Sequence, residues 1–286
     1  MEKSTAIKMS RRRFLAMSGL AVMGTVAASA TYLSINDESQ DIVVEKVTIP
    51  IKNLHPALEG FTISQMADFH LRPFTKPPLI EEAVAISNSL SPDLVVLSGD
   101  YVWKDVDAIF ELAPILGGLN GKHGVYASIG NHDLWTDIDT IRQGFADARI
   151  PILQNEGVTV TEGAGSFFLA GLDDGWSGNP DLDATLETAP ADAPIISLMH
   201  EPDFADAYAK DGRIALQLSG HTHGGQIRFP RLGGALILPP YGMKYDMGLY
   251  QVSDMWLYTN RGLGVTNEPV RYNCAPEITQ ITLISG

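Results

Sequence analysis

From residue 42 onward, short runs rich in Val, Ile, Leu and Phe alternate with segments whose apolar residues recur every three or four positions. The runs predict strands at Val43–Ile49, Phe61–Met66, Leu94–Ser98, Val125–Ile129, Ser166–Ala170, Ile195–Met199, Ile214–Ser219, Leu249–Val252, Met255–Tyr258 and Ile278–Leu283. Between them, Leu79, Ile80, Ala83, Val84 and Leu90 share one helical face. So do Val106, Ile109, Phe110 and Ala113, and then Ile138, Ile141 and Phe145. Thr136, with Asp139 three residues on, reads as the start of that last helix. Strand–helix alternation first and mostly strands afterwards predicts an α/β sandwich with mixed sheets. No internal repeat or composition shift marks a second domain, so residues 42–286 read as one.

The first thirty residues follow another rule. Ser10-Arg11-Arg12-Arg13-Phe14-Leu15 opens a run from Phe14 to Leu33 that carries no charge and ends near Ala28-Ser29-Ala30, an A-x-A-like cleavage site. This resembles a twin-arginine export signal, whose arginine pair is read by a translocase. Twenty residues at ~1.5 Å each also span a hydrocarbon core of ~30 Å, so an uncleaved run would serve as a membrane anchor. Either outcome places the rest of the chain outside the cytoplasmic membrane, at its outer face or in the periplasm. Residues 31–41, with Asn36, Asp37, Glu38, Ser39 and Gln40, read as a solvated tether.

Charge sharpens the division. The formal net charge of the 286 residues is −14. Residues 1–30 hold five cations against Glu2 alone, a charge of +4, which leaves −18 on the remainder. A body this acidic repels nucleic acid, and none is expected as a partner. Apolar residues make up 45% of the chain and charged ones 19%, which excludes a disordered or fibrous protein. The one cysteine, Cys274, excludes an intramolecular disulfide and any cysteine-based zinc cluster. A metal here must be held by His, Asp, Glu or Asn.

Those donors gather where the predicted strands end. Phe61–Met66 leads into Ala67-Asp68-Phe69-His70, Leu94–Ser98 into Gly99-Asp100, and Val125–Ile129 into Gly130-Asn131-His132-Asp133. Ile195–Met199 leads into His200, and Ile214–Ser219 into Gly220-His221-Thr222-His223. In open α/β sheets the ligand crevice lies outside the carboxyl ends of the strands. Asp68, His70, Asp100, Asn131, His200, His221 and His223 make seven donors, too many for one tetrahedral zinc but suited to two metals sharing a bridging carboxylate. An extended chain would explain the Asp-x-His and His-x-His spacings, because residues two apart point to the same side. A lone histidine is ordinarily a structural residue and a lone Gly-Asp a turn signal. Here five of the seven histidines fall inside one constellation, and only His55 and His123 stand outside it.

With those five blocks in order, the chain resembles the calcineurin-like metallophosphoesterases over roughly residues 43–284. No ligand position is substituted; the one departure is Ala67, where the residue before the first Asp is commonly Ser. Gly220–Gln226, Asn260–Gly264 and Pro276-Glu277-Ile278 resemble the branch exported by twin-arginine signals. That branch includes bacterial phosphodiesterases and a UDP-2,3-diacylglucosamine pyrophosphatase of lipid A synthesis. The resemblance implies a four-layer αββα sandwich with two mixed β-sheets and a dinuclear metal site at the strand C-terminal ends. It implies that Asp68, His70 and His223 hold one metal, that Asn131, His200 and His221 hold the other, and that Asp100 bridges them. His132 would face the substrate off the metals as general acid, with Asp133 orienting it.

The implied activity is hydrolysis of phosphodiester or pyrophosphate bonds, in a substrate that the location allows to be lipid-linked. Two divalent cations polarise phosphoryl oxygens and supply hydroxide at neutral pH, and the N/O ligand set accepts Mn, Fe, Zn or Co. Arg72, Lys76, Arg228 and Arg261 lie near the motifs and read either as clamps for further phosphates or as solvated surface cations. Trp176 and Tyr241 read as cleft walls or as packing residues. The competing reading is a non-catalytic envelope binding protein stapled by its metals. Such a protein would lack the acid or the bridging residue, and this sequence retains both.

Overall fold

The computed structural model describes residue 29 and residues 31–229, 234–235, 237–267 and 269–286. The chain divides into two units, Met1–Asp37 and Glu38–Gly286. In the first, residues 31–35 form a helical turn, closed by the Asn36 N–H on the Tyr32 carbonyl at 3.2 Å. The arginine cluster and most of the apolar run lie outside the described residues. No helix among the described residues is long and apolar enough to cross a membrane. The stretch Glu38–Asp41, expected as the end of a solvated tether, is instead docked. The Glu38 N–H bonds the Arg271 carbonyl and its carboxylate accepts the Cys274 N–H, both at 2.9 Å, while Ser39 is buried.

Two mixed sheets form the second unit. The first contains β1 (Val43–Ile51), β13 (Glu277–Ser285), β2 (Thr62–Met66), β3 (Leu94–Ser98) and β4 (Val125–Ser128), in that spatial order. Only the β13–β2 pair is antiparallel. The second contains β11 (Gly248–Val252), β12 (Met255–Thr259), β8 (Ile214–Ser219), β7 (Ile195–Leu198), β6 (Gly165–Gly171) and β5 (Glu156–Glu162). Its central strands run parallel and its two edges antiparallel. β9 (Arg228–Phe229) and β10 (Gly234–Ala235) form a small ribbon apart from both.

The period-2 alternation of the strands sorts their side chains into three cores. Ile63, Val96, Ile281 and Leu283 of the first sheet meet Phe167, Leu169, Ile196, Leu216 and Leu218 of the second in the central layer. Alternate residues Met66, Val95, Leu97 and Ala127 turn outward to α1 (Pro77–Ser89), α2 (Ile109–Leu116) and α4 (Ile138–Asp147). On the far side, Phe168, Ala170, Ile195 and Leu257 pack against α5 (Leu182–Thr185) and α6 (Ala205–Asp211). The result is the expected helix–sheet–sheet–helix sandwich.

Local departures have local causes. Val106 belongs to a separate 3-10 turn, Val106–Ala108, so α2 buries Ile109, Leu112, Ala113 and Leu116 and leaves Phe110 48% exposed. Thr136 ends the short α3 (Asn131–Thr136) instead of starting α4. Asp137 caps α4, its carboxylate accepting the Asp139 and Thr140 N–H groups.

One side chain joins the strand ends that face the site. Asp133 was expected to orient His132, but its carboxylate accepts backbone N–H groups from Gly130, Asp100 and Tyr101, each at 2.9 Å. It is fully buried and fastens the turn after β3 to the start of α3. The His132 ring nitrogen Nδ1 instead faces the Trp103 carbonyl oxygen at 3.3 Å. Asp133→Ala would orphan three buried donors, each worth roughly 1–3 kcal/mol. Urea unfolding of that variant should show a loss of about 3–5 kcal/mol. A loss below 1 kcal/mol with a selective fall in activity would restore the orienting role.

Candidate metal centre

The five donor segments lie where both sheets end in the same direction. Asp68 and His70 follow β2, Asp100 follows β3, and Asn131 opens α3 just beyond β4. His200 follows β7, and His221 and His223 follow β8. Bonds between the two sheets bring these ends together. The His221 N–H bonds both Asp68 carboxylate oxygens at 3.0 Å, and Gln65 Nε2 donates to the Ser219 carbonyl at 3.0 Å.

The backbone does not follow the extended geometry that the Asp-x-His and His-x-His spacings suggest. Asp68, His70, Asp100, His221 and His223 all have positive φ, between 42° and 74°. Non-glycine residues rarely adopt that region, and such residues cluster at functional sites. Each motif is a tight left-handed turn that aims alternate side chains inward. Gly99, at φ +90°, permits a close approach: a Cβ there would lie 2.6 Å from Gly130 N and 2.8 Å from His200 Nδ1.

All seven donors are buried, none more than 5% exposed. Asp68, His70 and His223 bring their ligand atoms within 4.8 Å of one another, and so do Asp100, His200 and His221. His70, Asp100 and His132 form a third such group, so the His132 ring also stands beside the cluster. Asp100 lies between: its Oδ2 is 3.4 Å from His70 Nε2 and 3.2 Å from His200 Nε2, and its Oδ1 accepts the His132 backbone N–H at 2.8 Å. His70 Nε2 and His223 Nε2 are 2.9 Å apart. Asp68 Oδ1 is 3.4 Å from His223 Nε2.

Outer contacts orient the rings. His200 Nδ1–H donates to the Ser98 carbonyl at 2.6 Å and turns Nε2 inward. His221 donates through Nε2 to the Pro240 carbonyl at 2.8 Å, which leaves Nδ1 for the cluster. Such bonds fix a ligand's tautomer and ring plane. The buried Asn131 Oδ1 has no hydrogen-bond partner.

The electrostatics ask for a cation. Burial, aided by neighbouring rings, pushes His70 down to about 3 and His221 to about 4, and holds His223 well below the usual range. These imidazoles are neutral and offer lone pairs. Burial opposes the charge on Asp100, yet His200, His132 and His70 hold its carboxyl well below the usual carboxylate range. Burial also opposes protonation of His200, but Asp100 and Asp68 outweigh it and raise that ring well above the usual range. Burial lifts Asp68 to about 7, with His200 pulling down and Asp100 pushing up. A buried carboxylate pair that draws a proton onto an imidazole wants positive charge, and two divalent cations meet that need. The donor chemistry therefore fits the expected pair of metals.

Above the donors lies a cleft of ≈ 360 Å³ bounded by Trp103, Trp135, Trp176 and the segment Ile237–Pro240. Trp176 is thus a wall, while Tyr241 touches it from outside with ring centroids 6.2 Å apart. Trp103 and Trp135 were not foreseen as site residues. The available signal was spacing: Trp135 follows His132 by three positions in a helix and so shares its face. None of the four cations considered as phosphate clamps lines the cleft. Arg72 pairs with Glu111, Arg228 with Asp246, and Arg261 with Glu45 and Glu277, while Lys76 bonds the Pro73 carbonyl.

Comparisons with known proteins agree with the geometry. A family model for calcineurin-like phosphoesterases matches residues 61–225, a segment that contains all seven donors. The chain is 36% identical over 287 residues to the uncharacterized metallophosphoesterase YkuE of Bacillus subtilis (strain 168), a match covering 97% of this chain and 99% of that protein. It is 31% identical over 282 residues to the phosphodiesterase YaeI of Escherichia coli (strain K12), covering 96% and 99%. A transmembrane protein with metallophosphoesterase domain from Bos taurus is 31% identical over 289 residues, covering 95% of this chain and 63% of that one. The chain belongs to the calcineurin-like phosphoesterase family, and it is a metal-dependent hydrolase of phosphoester bonds.

Proposed function

We propose that the enzyme cleaves phosphodiester or pyrophosphate bonds, with Asp68, His70 and His223 holding one cation, Asn131, His200 and His221 the other, and Asp100 shared between them. The observation that carries this reading is the position of Asp100, whose one oxygen lies within 3.4 Å of histidines from both groups. When bound, such a cation pair supplies Lewis acidity and a nucleophile at neutral pH. The protein's own part is to place the ester and to move a proton. His132 keeps its Nδ1 on the Trp103 carbonyl, so Nε2 is free to donate to the leaving oxygen. One water is consumed: its oxygen forms the new bond to phosphorus as the ester P–O bond breaks, the leaving oxygen takes the Nε2 proton, the alcohol or phosphate departs, and the water's proton restores Nε2. Trp103 stacks on the His132 ring at 4.3 Å between centroids and Trp135 covers another side at 4.7 Å, which holds the acid in place and limits water around it. A second hollow, bounded by Trp103, Lys104, Val106, Trp135, Thr136 and Asn267, opens beyond His132 and receives the leaving group.

The sequence before residue 31 supports export by the twin-arginine route, and a lipid-linked pyrophosphate would meet an enzyme retained at the membrane. The Bos taurus relative is named as a transmembrane protein, which accords with a place at the membrane.

Three outcomes are expected. Turnover of an aryl phosphodiester should vanish with chelator and return with Mn²⁺, and Asp100→Ala should lose both metals by elemental analysis as well as activity. Full activity in the metal-free protein would refute the dinuclear reading. His132→Ala should keep its metals yet lose ~10²–10⁴-fold in rate on esters with poor leaving groups, and little on those with very acidic ones. Metal loss from that variant would instead make His132 a ligand. Changing Arg11 and Arg12 together to Lys should leave folded, active enzyme in the cytoplasmic fraction, whereas normal export would overturn the twin-arginine assignment.

A further inference from the structure

The cleft wall above the metal donors is unusually apolar, open and rigid. Trp135 is 49% exposed and Trp176 37%, although each indole is a large apolar surface facing solvent. Their rings meet edge to face, 4.9 Å apart at 79°, and form a corner. Trp176 also stands edge-on to the His221 ring at 5.8 Å, so the corner is continuous with the metal centre. Across the cleft run Leu238, Pro239 and Pro240.

The corner is pinned before any ligand arrives. Trp135 Nε1 donates to Ser177 Oγ at 2.6 Å. The loop carrying Trp176 is held on both sides: Gly175 N–H bonds Glu201 Oε2 at 2.8 Å, and Ser177 N–H bonds Asp174 Oδ2 at 2.5 Å. Exposed aromatic side chains fixed in this way lose little further entropy when a ligand covers them.

Charge and position then narrow the occupant. Among the described residues, Asp100 and the histidines are the ionisable side chains that line this cleft. Trp135 lines both the cleft over the donors and the hollow beyond His132, where the leaving group goes, and so stands between the two; Trp176 lines the cleft alone. What lies on Trp176 is therefore the substituent that stays on phosphorus. A flat ring suits the corner, with its face on one indole and its edge to the other, the two arrangements aromatic groups prefer. We propose that Trp135 and Trp176 form a stacking subsite for a neutral ring on the retained side of a phosphodiester. This rests on the phosphodiesterase reading above and deepens it to a substrate class: diesters whose retained alcohol carries an uncharged aromatic ring.

The test uses the metal-loaded full chain and three esters with the same leaving group: phenyl, methyl and hexyl 4-nitrophenyl phosphate. Because the leaving group is constant, ratios of kcat/KM report on the retained side. The wild type should favour the phenyl over the methyl ester, and Trp176→Ala should cut that ratio about tenfold, the worth of one stacked ring. Trp176→Phe should keep most of the preference. Far-UV circular dichroism and metal content matching the wild type show that both variants are folded and metallated, so a changed ratio reports on the ring itself. Three of the four tryptophans line this site, so phenyl phosphate should also quench intrinsic fluorescence where methyl phosphate does not. An unchanged phenyl-to-methyl ratio in Trp176→Ala would overturn the subsite. So would a hexyl ester favoured as strongly as the phenyl one, which would make the corner a site for alkyl chains. If the wild type hydrolyses none of the three, the phosphodiesterase reading falls first and the subsite with it.

Discussion

Two carboxylates, Asp68 and Asp100, are buried at the ends of neighbouring parallel strands, with imidazoles facing them from both sheets. An unpaired buried charge costs several kcal/mol, so the fold must answer this concentration of negative charge or lose stability. Part of the answer is structural. Asp68 accepts the His221 N–H and so ties the end of β2 to the turn after β8, while Asp100 accepts the His132 N–H and fixes the first turn of α3. The same residues that would grip cations thus also close the sandwich at this end. The rest of the answer is positive charge: against the opposing effect of burial, Asp100 and Asp68 hold the proton affinity of His200 well above the usual range.

Rigidity at the centre comes from backbone conformation as much as from packing. Five of the seven donors sit in the left-handed region, where the chain reverses within one or two residues. Such turns cost energy for non-glycine residues and persist only when their surroundings over-determine them. Here the surroundings are other turns of the same site. The Asp68 carbonyl accepts the Gly264 N–H at 2.7 Å, and the Asp100 carbonyl accepts the Phe69 N–H at 2.8 Å. Asp133 gathers three more backbone donors at its carboxylate. The strain is therefore shared among loops that only the complete sandwich brings together.

This explains what the sequence revealed and what it concealed. The apolar runs placed the main strands because burial on both faces leaves a signal that needs no context. β5 escaped, as an edge strand whose residues Glu156–Glu162 are largely polar, although Val158 and Val160 keep the period of two. The donor residues were legible because hard oxygen and imidazole groups at successive strand ends are chemically distinctive. The reason first given for their spacing failed, since period-2 logic holds in strands and these residues lie in turns. Asp133 was misread for a similar reason: its neighbour in sequence is His132, but its partners are backbone N–H groups, which leave no trace in side-chain patterns. The ion pairs of Arg72, Arg228 and Arg261 were equally out of reach, because their partners lie between 16 and 216 positions away.

Among the described residues no Lys or Arg lines the cleft, which suits the same buried carboxylates. A guanidinium or ammonium within hydrogen-bond reach of Asp68 or Asp100 would compete with the metals for them, and in a low-dielectric site it would do so strongly. Arg271 illustrates the limit. It is fully buried behind His223, and its donors go to the carbonyls of Gly264, Arg261 and Cys274 and, at 3.4 Å, to His223 Nδ1. Indoles and prolines carry no such risk, since they add contact surface without altering the charge around the centre. On a chain with net charge −14, the cations are then the main positive charge that a substrate meets in the cleft. Among the described residues, the hollow beyond His132 adds one ammonium, that of Lys104, for a further anionic group on the leaving side. An anionic substituent on the retained side meets no such cation among those residues, so it is held there at an electrostatic cost that a neutral one escapes.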